Sequence, residues 1–160
     1  KQELFIAVVD KFWFSTQNPR NKFTETNGTF AEFIDEYVRG VQRTMDMLGD
    51  LIGAEREKVA QGKFTYHAQY FHFLFQLLQY DPDAKEKLRN LVDGDYAYWR
   101  AAIQRAIATG ELREDVDVED AGVMFRQVYM GLSFEMAFMG GLNTQRLAKH
   151  LHAVYSLLKR

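Results

Sequence analysis

Apolar residues recur at intervals of three and four along most of the chain, the spacing that lines one face of an α-helix. The clearest run is Phe30, Phe33, Ile34, Tyr37, Val41, Met45, Leu48 and Ile52. Strands half-buried in a sheet would instead alternate residue by residue. Only 2 of the 160 residues are proline, and Gly-rich turns are few, which favours long helices over a sandwich of short strands. The expectation is an all-α chain, an antiparallel bundle of about six helices.

The first helix spans Lys1 to about Thr16, with Leu4, Phe5, Val8, Val9, Phe12 and Trp13 at helical spacing. It starts without a capping residue or an initiator Met, although four backbone N–H groups there need partners. A chain cut from something longer, or one whose preceding part was removed, is expected. The stretch from Gln17 to Gly28 reads as turns, with Asn18-Pro19 and Asn27-Gly28. Thr29 and Glu32 form a capping box that opens a long helix ending near Gly62.

A shorter helix follows from Thr65 to Tyr80. It is apolar nearly all round and is expected to be buried on most sides. Asp81 as cap and Pro82 at the first position start a helix that runs to about Thr109, with Leu88, Leu91, Val92, Trp99, Ile103 and Ile107 inward. Gly94 is a candidate kink in it, and Gly110 closes it. Asp117 caps the next helix, which continues to about Met139, where Gly140-Gly141 breaks it. Asn143 or Thr144 starts the last one, which ends near Lys159.

These last two helices carry wide apolar stripes. One shows Val118, Ala121, Phe125, Val128 and Leu132, widened by Met124, Tyr129 and Met136. The other shows Leu147, Leu151, Val154 and Leu158, with Tyr155 beside them. Joined by a short loop they form an antiparallel hairpin. The stripes suit either core packing within one chain or a four-helix bundle shared with a second copy.

Composition narrows the chemistry. Apolar residues make up 47% and charged residues 26%, as in ordinary globular proteins. The absence of cysteine removes disulfides, thiolate metal sites and cysteine nucleophiles. It also fits the reducing cytoplasm, where we place the protein. A net charge of −2 and no basic run leave nothing to replace phosphate counterions, so the chain by itself is not expected to hold nucleic acid. No apolar run approaches the roughly eighteen residues of a membrane span. Asp10 and Lys11 interrupt the apolar start, which therefore is not a signal segment.

His67 and His72 lie five apart, and His150 and His152 two apart, so neither pair shares a helix face at ligand spacing. With no His-Glu-x-x-His and no Glu-x-x-His motif, neither metal nor cofactor is expected. Ser15, Ser133 and Ser156 lack the context of a nucleophile. No constellation argues for an enzyme.

The run from Ala106 to Ala121, in which a helix ends at Gly110, a charged turn follows and Asp117 caps the next helix on the way to Gly131-Leu132, resembles the ligand domain of tetracycline-repressor (TetR) family transcription regulators. Lys1-Gln2-Glu3-Leu4-Phe5 is similar to the segment that opens the helix following that family's DNA-reading helix-turn-helix. The resemblance spans essentially the whole chain, read as one domain over residues 1–160, with the helix-turn-helix missing.

It implies a homodimer in which the last two helices form a four-helix bundle with their twofold mates. Val128, Leu132, Met136, Leu147, His150, Leu151, Val154 and Leu158 would lie at that interface. It also implies an apolar cavity in each subunit for a small effector, with DNA bound only through the missing N-terminal domain and no membrane involved.

Aromatic rings expected on inward faces from separate helices mark the candidate walls of that cavity. They are Phe12, Trp13, Tyr37, Tyr66, Tyr70, Phe71, Trp99, Phe125, Tyr129 and Phe134, and core packing also accounts for most of them. Buried tyrosines must satisfy their hydroxyls, and a few polar tips on apolar walls are how small ligands are oriented. His67, Arg126 and Gln127 are candidates for further polar contacts; Arg126 could equally point outward to Glu135 or Glu119. The effector expected is a small apolar or aromatic molecule. The alternatives are an apolar-ligand carrier or sensor with no DNA role, and an all-helical enzyme with an unrecognised site.

Overall fold

The computed structural model describes residues 2–24, 28–51 and 66–160, with side chains for residues 3–24, 28–47 and 70–160. Helix α1 has three consecutive parts, Gln2–Val8, a π-helical turn Val9–Trp13, and Phe14–Thr16. Asn18 caps a short helix α2 (Pro19–Lys22), its Oδ1 accepting from the Arg20 N–H at 3.1 Å. The sequence reading had only turns there; Asn-Pro proves to be a cap followed by proline at the first helical position.

Helix α3 (Phe30–Leu51) opens on the expected reciprocal capping box. The Thr29 N–H donates to Glu32 Oε2 at 2.8 Å, and the Glu32 N–H donates to Thr29 Oγ1 at 3.2 Å. The expected continuation towards Gly62 and the start at Thr65 lie outside the described residues. Helix α4 is Tyr66–Tyr80 and α5 is Ala84–Ala108.

The start of α5 differs from expectation. Asp81 Oδ1 accepts from the Asp83 N–H at 2.9 Å, which makes a turn of Asp81-Pro82 and delays the helix to Ala84. Gly94 produces no break in α5. A Cβ there would sit 2.8 Å from Pro19 Cγ, so the glycine serves close packing against α2. Gly110 has a φ of +75°, the left-handed conformation that ends α5.

Asp117 then caps α6 (Val118–Ala137), accepting from the Asp120 N–H at 2.9 Å. Asn143 caps α7 (Thr144–Leu158) in the same way through the Arg146 N–H. Among the described residues the regular elements are all helical, with one isolated bridge between Leu112 and Lys159.

The main core lies between α3, α5, α6 and α7. At its centre Trp99 stacks on Phe125, with ring centroids 4.9 Å apart and planes 9° apart, while Tyr37 meets Trp99 edge-on at 4.8 Å. Leu112, Leu147 and Leu151 are fully enclosed there. Glu111 ties three parts together: its carboxylate accepts from the Phe30 N–H at 2.8 Å and from the Tyr155 hydroxyl at 2.9 Å.

A smaller core of Val9, Trp13, Leu77 and Ala84 docks α1 against α4 and the start of α5. The π turn contains one extra residue per turn, and it brings Val9 and Trp13 inward while Phe12 faces out. Lys87 reinforces this docking, donating to Asp10 at 2.7 Å and to the buried Asp81 at 2.9 Å. Helix α4 is less buried than its composition led us to expect: Phe75, Leu78 and Tyr80 are exposed. It packs on α1, α5 and α6, leaving one apolar face uncovered. Among the described residues no helix is long and apolar enough to cross a membrane.

Candidate functional site

Two helix-interior glycines build the most unusual feature of the interior. A Cβ on Gly40 would fall 1.9 Å from the Lys22 carbonyl oxygen, and Gly94 meets Pro19 on the other side. Helix α2 is therefore wedged between α3 and α5. Its last residue, Lys22, is carried inside, where it is only 6% exposed.

Lys22 Nζ lies 3.5 Å from Asp95 Oδ2, and Arg126 Nε approaches the same oxygen at 3.7 Å. Lys22 also sits over the Tyr129 ring at 5.8 Å and Arg126 over the Tyr96 ring at 5.3 Å, favourable placements for cations. Asp95 Oδ1 and Arg126 Nε have no hydrogen-bond partner. Burial, with the neighbouring Tyr129 and Asp95, raises the pKa of the Tyr37 hydroxyl well above its ordinary value. It stays a neutral donor next to these charges.

Beside this cluster, sharing Tyr129 with it, is a narrow, partly open gap. Gln17, the second half of α3 (Val41, Thr44, Met45), the α4 residues Tyr70 and Phe71, and the α6 residues Tyr129, Met130 and Ser133 line it. Its volume is about 10 Å³, the space of roughly one water molecule. The wall is apolar with polar tips. Thr44 donates to the Gly40 carbonyl at 2.9 Å, whereas the buried Ser133 hydroxyl has no partner. Arg126, Tyr129, Met130 and Ser133 follow an i, i+3, i+4, i+7 spacing, so one face of α6 runs from the charged cluster to the far side of the gap, roughly 10 Å by helical rise. A more open cavity of about 140 Å³ lies at the start of α3, between Phe30, Phe33, Arg105 and Glu111.

Of the expected effector-site residues, Tyr70, Phe71 and Tyr129 line the gap and Arg126 adjoins it. Tyr37, Trp99 and Phe125 are instead close-packed against one another in the main core. Trp13 belongs to the smaller core, 5.8 Å from the Tyr70 ring. Phe12 and Phe134 are exposed, not inward, and Gln127 is exposed as well. The side chains of Tyr66 and His67 lie outside the described residues. Arg126 pairs with neither acidic residue foreseen for it: Arg100 takes Glu119 and Arg146 takes Glu135.

Sequence reasoning missed Lys22, Asp95, Gln17, Thr44 and Ser133. Lys22 and Asp95 lie 73 positions apart, so no local pattern joins them. The available signal was the pair of glycines inside α3 and α5, which mark close packing against a neighbouring element. Among the described residues no group of three or more His, Asp or Glu side chains converges as a metal would need.

The terminal helices divide into two faces. Leu132, Met136, Leu147 and Leu151 are buried in the chain's own core, and Val128, Val154 and Leu158 are partly buried against it. His150 is exposed. Val123, Met124, Phe134 and Phe138 on or next to α6, and Leu157 on α7, face outward. Gly131 lies exposed on α6, with nothing within 4 Å of where its Cβ would be.

The family model described as the tetracyclin repressor-like C-terminal domain matches residues 41–151. No curated protein and no solved structure matches the chain.

Proposed function

Because this chain belongs to the tetracycline repressor-like C-terminal domain family, we propose that it is the effector-sensing and dimerisation domain of a transcription regulator, taking a small molecule between α3, α4 and α6. The observation that carries this is the narrow gap: an apolar wall with a few polar tips, one of them the partnerless Ser133 hydroxyl. Ligand sites are built this way, with apolar surface for affinity and sparse polar groups for orientation. At about 10 Å³ the gap holds no more than roughly one water molecule, so an effector widens it by displacing the α4 wall.

That wall is mechanically connected. Tyr70 packs on Trp13 of α1, and Gln17 directly follows α1. An effector that moves Tyr70 shifts α1, the element that would lead to a DNA-reading domain. The response is bounded by the effector's differential affinity for the two arrangements.

Dimerisation is proposed through the outward face of α6 and α7, where Val123, Met124, Phe138 and Leu157 leave apolar surface exposed. Permanent dimers bury upwards of about 2,000 Å².

A thermal-shift screen of small aromatic and amphiphilic metabolites tests the sensing role, with Trp13 fluorescence as the second signal. A true effector raises the melting temperature, by about 2.7 kcal/mol of stabilisation at a hundredfold excess over Kd, and alters emission from Trp13. Stabilisation with no change at Trp13 contradicts the proposed coupling to α1.

A further inference from the structure

We propose that the effector is an organic monoanion of the carboxylate class, whose charged head is received by Lys22 and Arg126; this rests on the sensing role proposed above. Among the described residues the cluster holds two cations, Lys22 and Arg126, and one carboxylate, Asp95. Lys22 and Asp95 are more than nine-tenths buried, and the Arg126 side chain is 13% exposed.

A buried ion pair roughly balances its desolvation, but an uncompensated buried charge is strongly unfavourable. Among the described residues the cluster carries one positive charge too many. The geometry repeats that message: both cations share a single oxygen at 3.5 and 3.7 Å, beyond good hydrogen-bonding range, and Arg126 Nε donates to nothing. Guanidinium groups suit carboxylate ligands because their donors form a planar fork. A carboxylate entering here neutralises the surplus charge and accepts from Arg126. A hydroxyl beside it would meet the free Oδ1 of Asp95. The rest of the molecule extends along α6 past Tyr129 and Met130 towards Ser133, whose hydroxyl is the other orphan on this face. Apolar bulk then lies against Tyr70, Phe71 and Met45.

Two measurements on the full chain decide the matter. The first needs no ligand. Lys22→Gln removes the surplus charge and leaves Asp95 and Arg126 as a balanced pair, so the ligand-free melting temperature stays level or rises. A drop of several degrees would mean that Lys22 is an ordinary structural ion-pair partner, and would overturn the proposal. The second compares 3-phenyllactate with 3-phenyllactamide, which share ring and hydroxyl and differ in charge. The acid is expected to bind at least tenfold more tightly by thermal shift and Trp fluorescence. Lys22→Gln should abolish that preference, and Asp95→Asn should strengthen acid binding severalfold.

Equal binding of acid and amide, lost together when Ser133 or Tyr129 is changed, overturns the anion class and leaves the sensing role standing. A preference for the acid that survives Lys22→Gln overturns the assignment to this cluster. If neither compound binds, the ligand-free result on Lys22→Gln decides.

Discussion

Replacing Gly40 with alanine tests how the interior is assembled. The new methyl would lie 1.9 Å from the Lys22 carbonyl oxygen, 2.5 Å from its carbon and 2.6 Å from its Cα. All three are backbone atoms, so no flexible side chain can swing away. To restore van der Waals distance, α2 must move about 1 Å or more away from α3. That movement drags Phe23, which immediately follows α2 and packs within 4.8 Å of the rings of both Tyr37 and Tyr98. Overpacking of this kind costs about 1–3 kcal/mol, and loosening Phe23 adds to it. Exchanging a helix-interior glycine for alanine returns about 1 kcal/mol. The net expectation is a loss of about 2 kcal/mol, or roughly 4–8 °C in a domain of this size. Urea unfolding followed by far-UV circular dichroism measures it. A variant as stable as the native chain would refute the wedged placement of α2, and with it the burial of Lys22.

The acid limb of stability should depend on Asp81. Burial alone would raise its pKa, but hydrogen bonds from Lys87 and the Asp83 N–H outweigh burial and hold it below the ordinary value of 3.8. A carboxyl with a depressed folded-state pKa stabilises the fold above 3.8, and that stabilisation fades as pH falls through its lower folded value. Asp81→Asn should therefore lose less stability than the native chain when acidified below that value; urea midpoints with equal pH dependence would contradict this. At the outward face of α6, a Cβ on Gly131 would have nothing within 4 Å, so in Gly131→Leu helicity should persist while sedimentation shifts from dimer to monomer. A native chain that sediments as a monomer, or a variant that stays dimeric, would place the interface elsewhere.

The helical frame was legible because its signals are local. The Thr29–Glu32 box, Asp117, Asn143 and Gly110 act within a few residues of themselves, and each sits where the spacing of apolar residues implied. The π turn in α1 was not legible, since a single extra residue rotates Phe12 outward without changing the composition that made it look inward. Nor was the division of labour among the aromatics. Trp99, Tyr37 and Phe125 are inward, as expected, but whether an inward ring packs solidly or borders a gap depends on neighbours from three other helices. On α7, Leu147 and Leu151 show the same ambiguity: an apolar stripe fits a core or an interface equally well, and here it is enclosed by the chain's own α3 and α6. Lys22 and Asp95 were the least legible, because a buried charge pair leaves no periodicity. Only Gly40, which the Lys22 backbone approaches, and Gly94, which the Pro19 ring approaches, pointed there.

The sensing role rests on where an effector lodges, and a crystal structure of the protein with the most stabilising compound from the thermal-shift screen tests that most directly. The expected result is density enclosed between Gln17, Tyr70, Tyr129 and Ser133, with the α4 wall displaced and Trp13 moved with it. Density confined to the open cavity by Phe33 and Glu111, or to the outer surface of α6, would contradict the account.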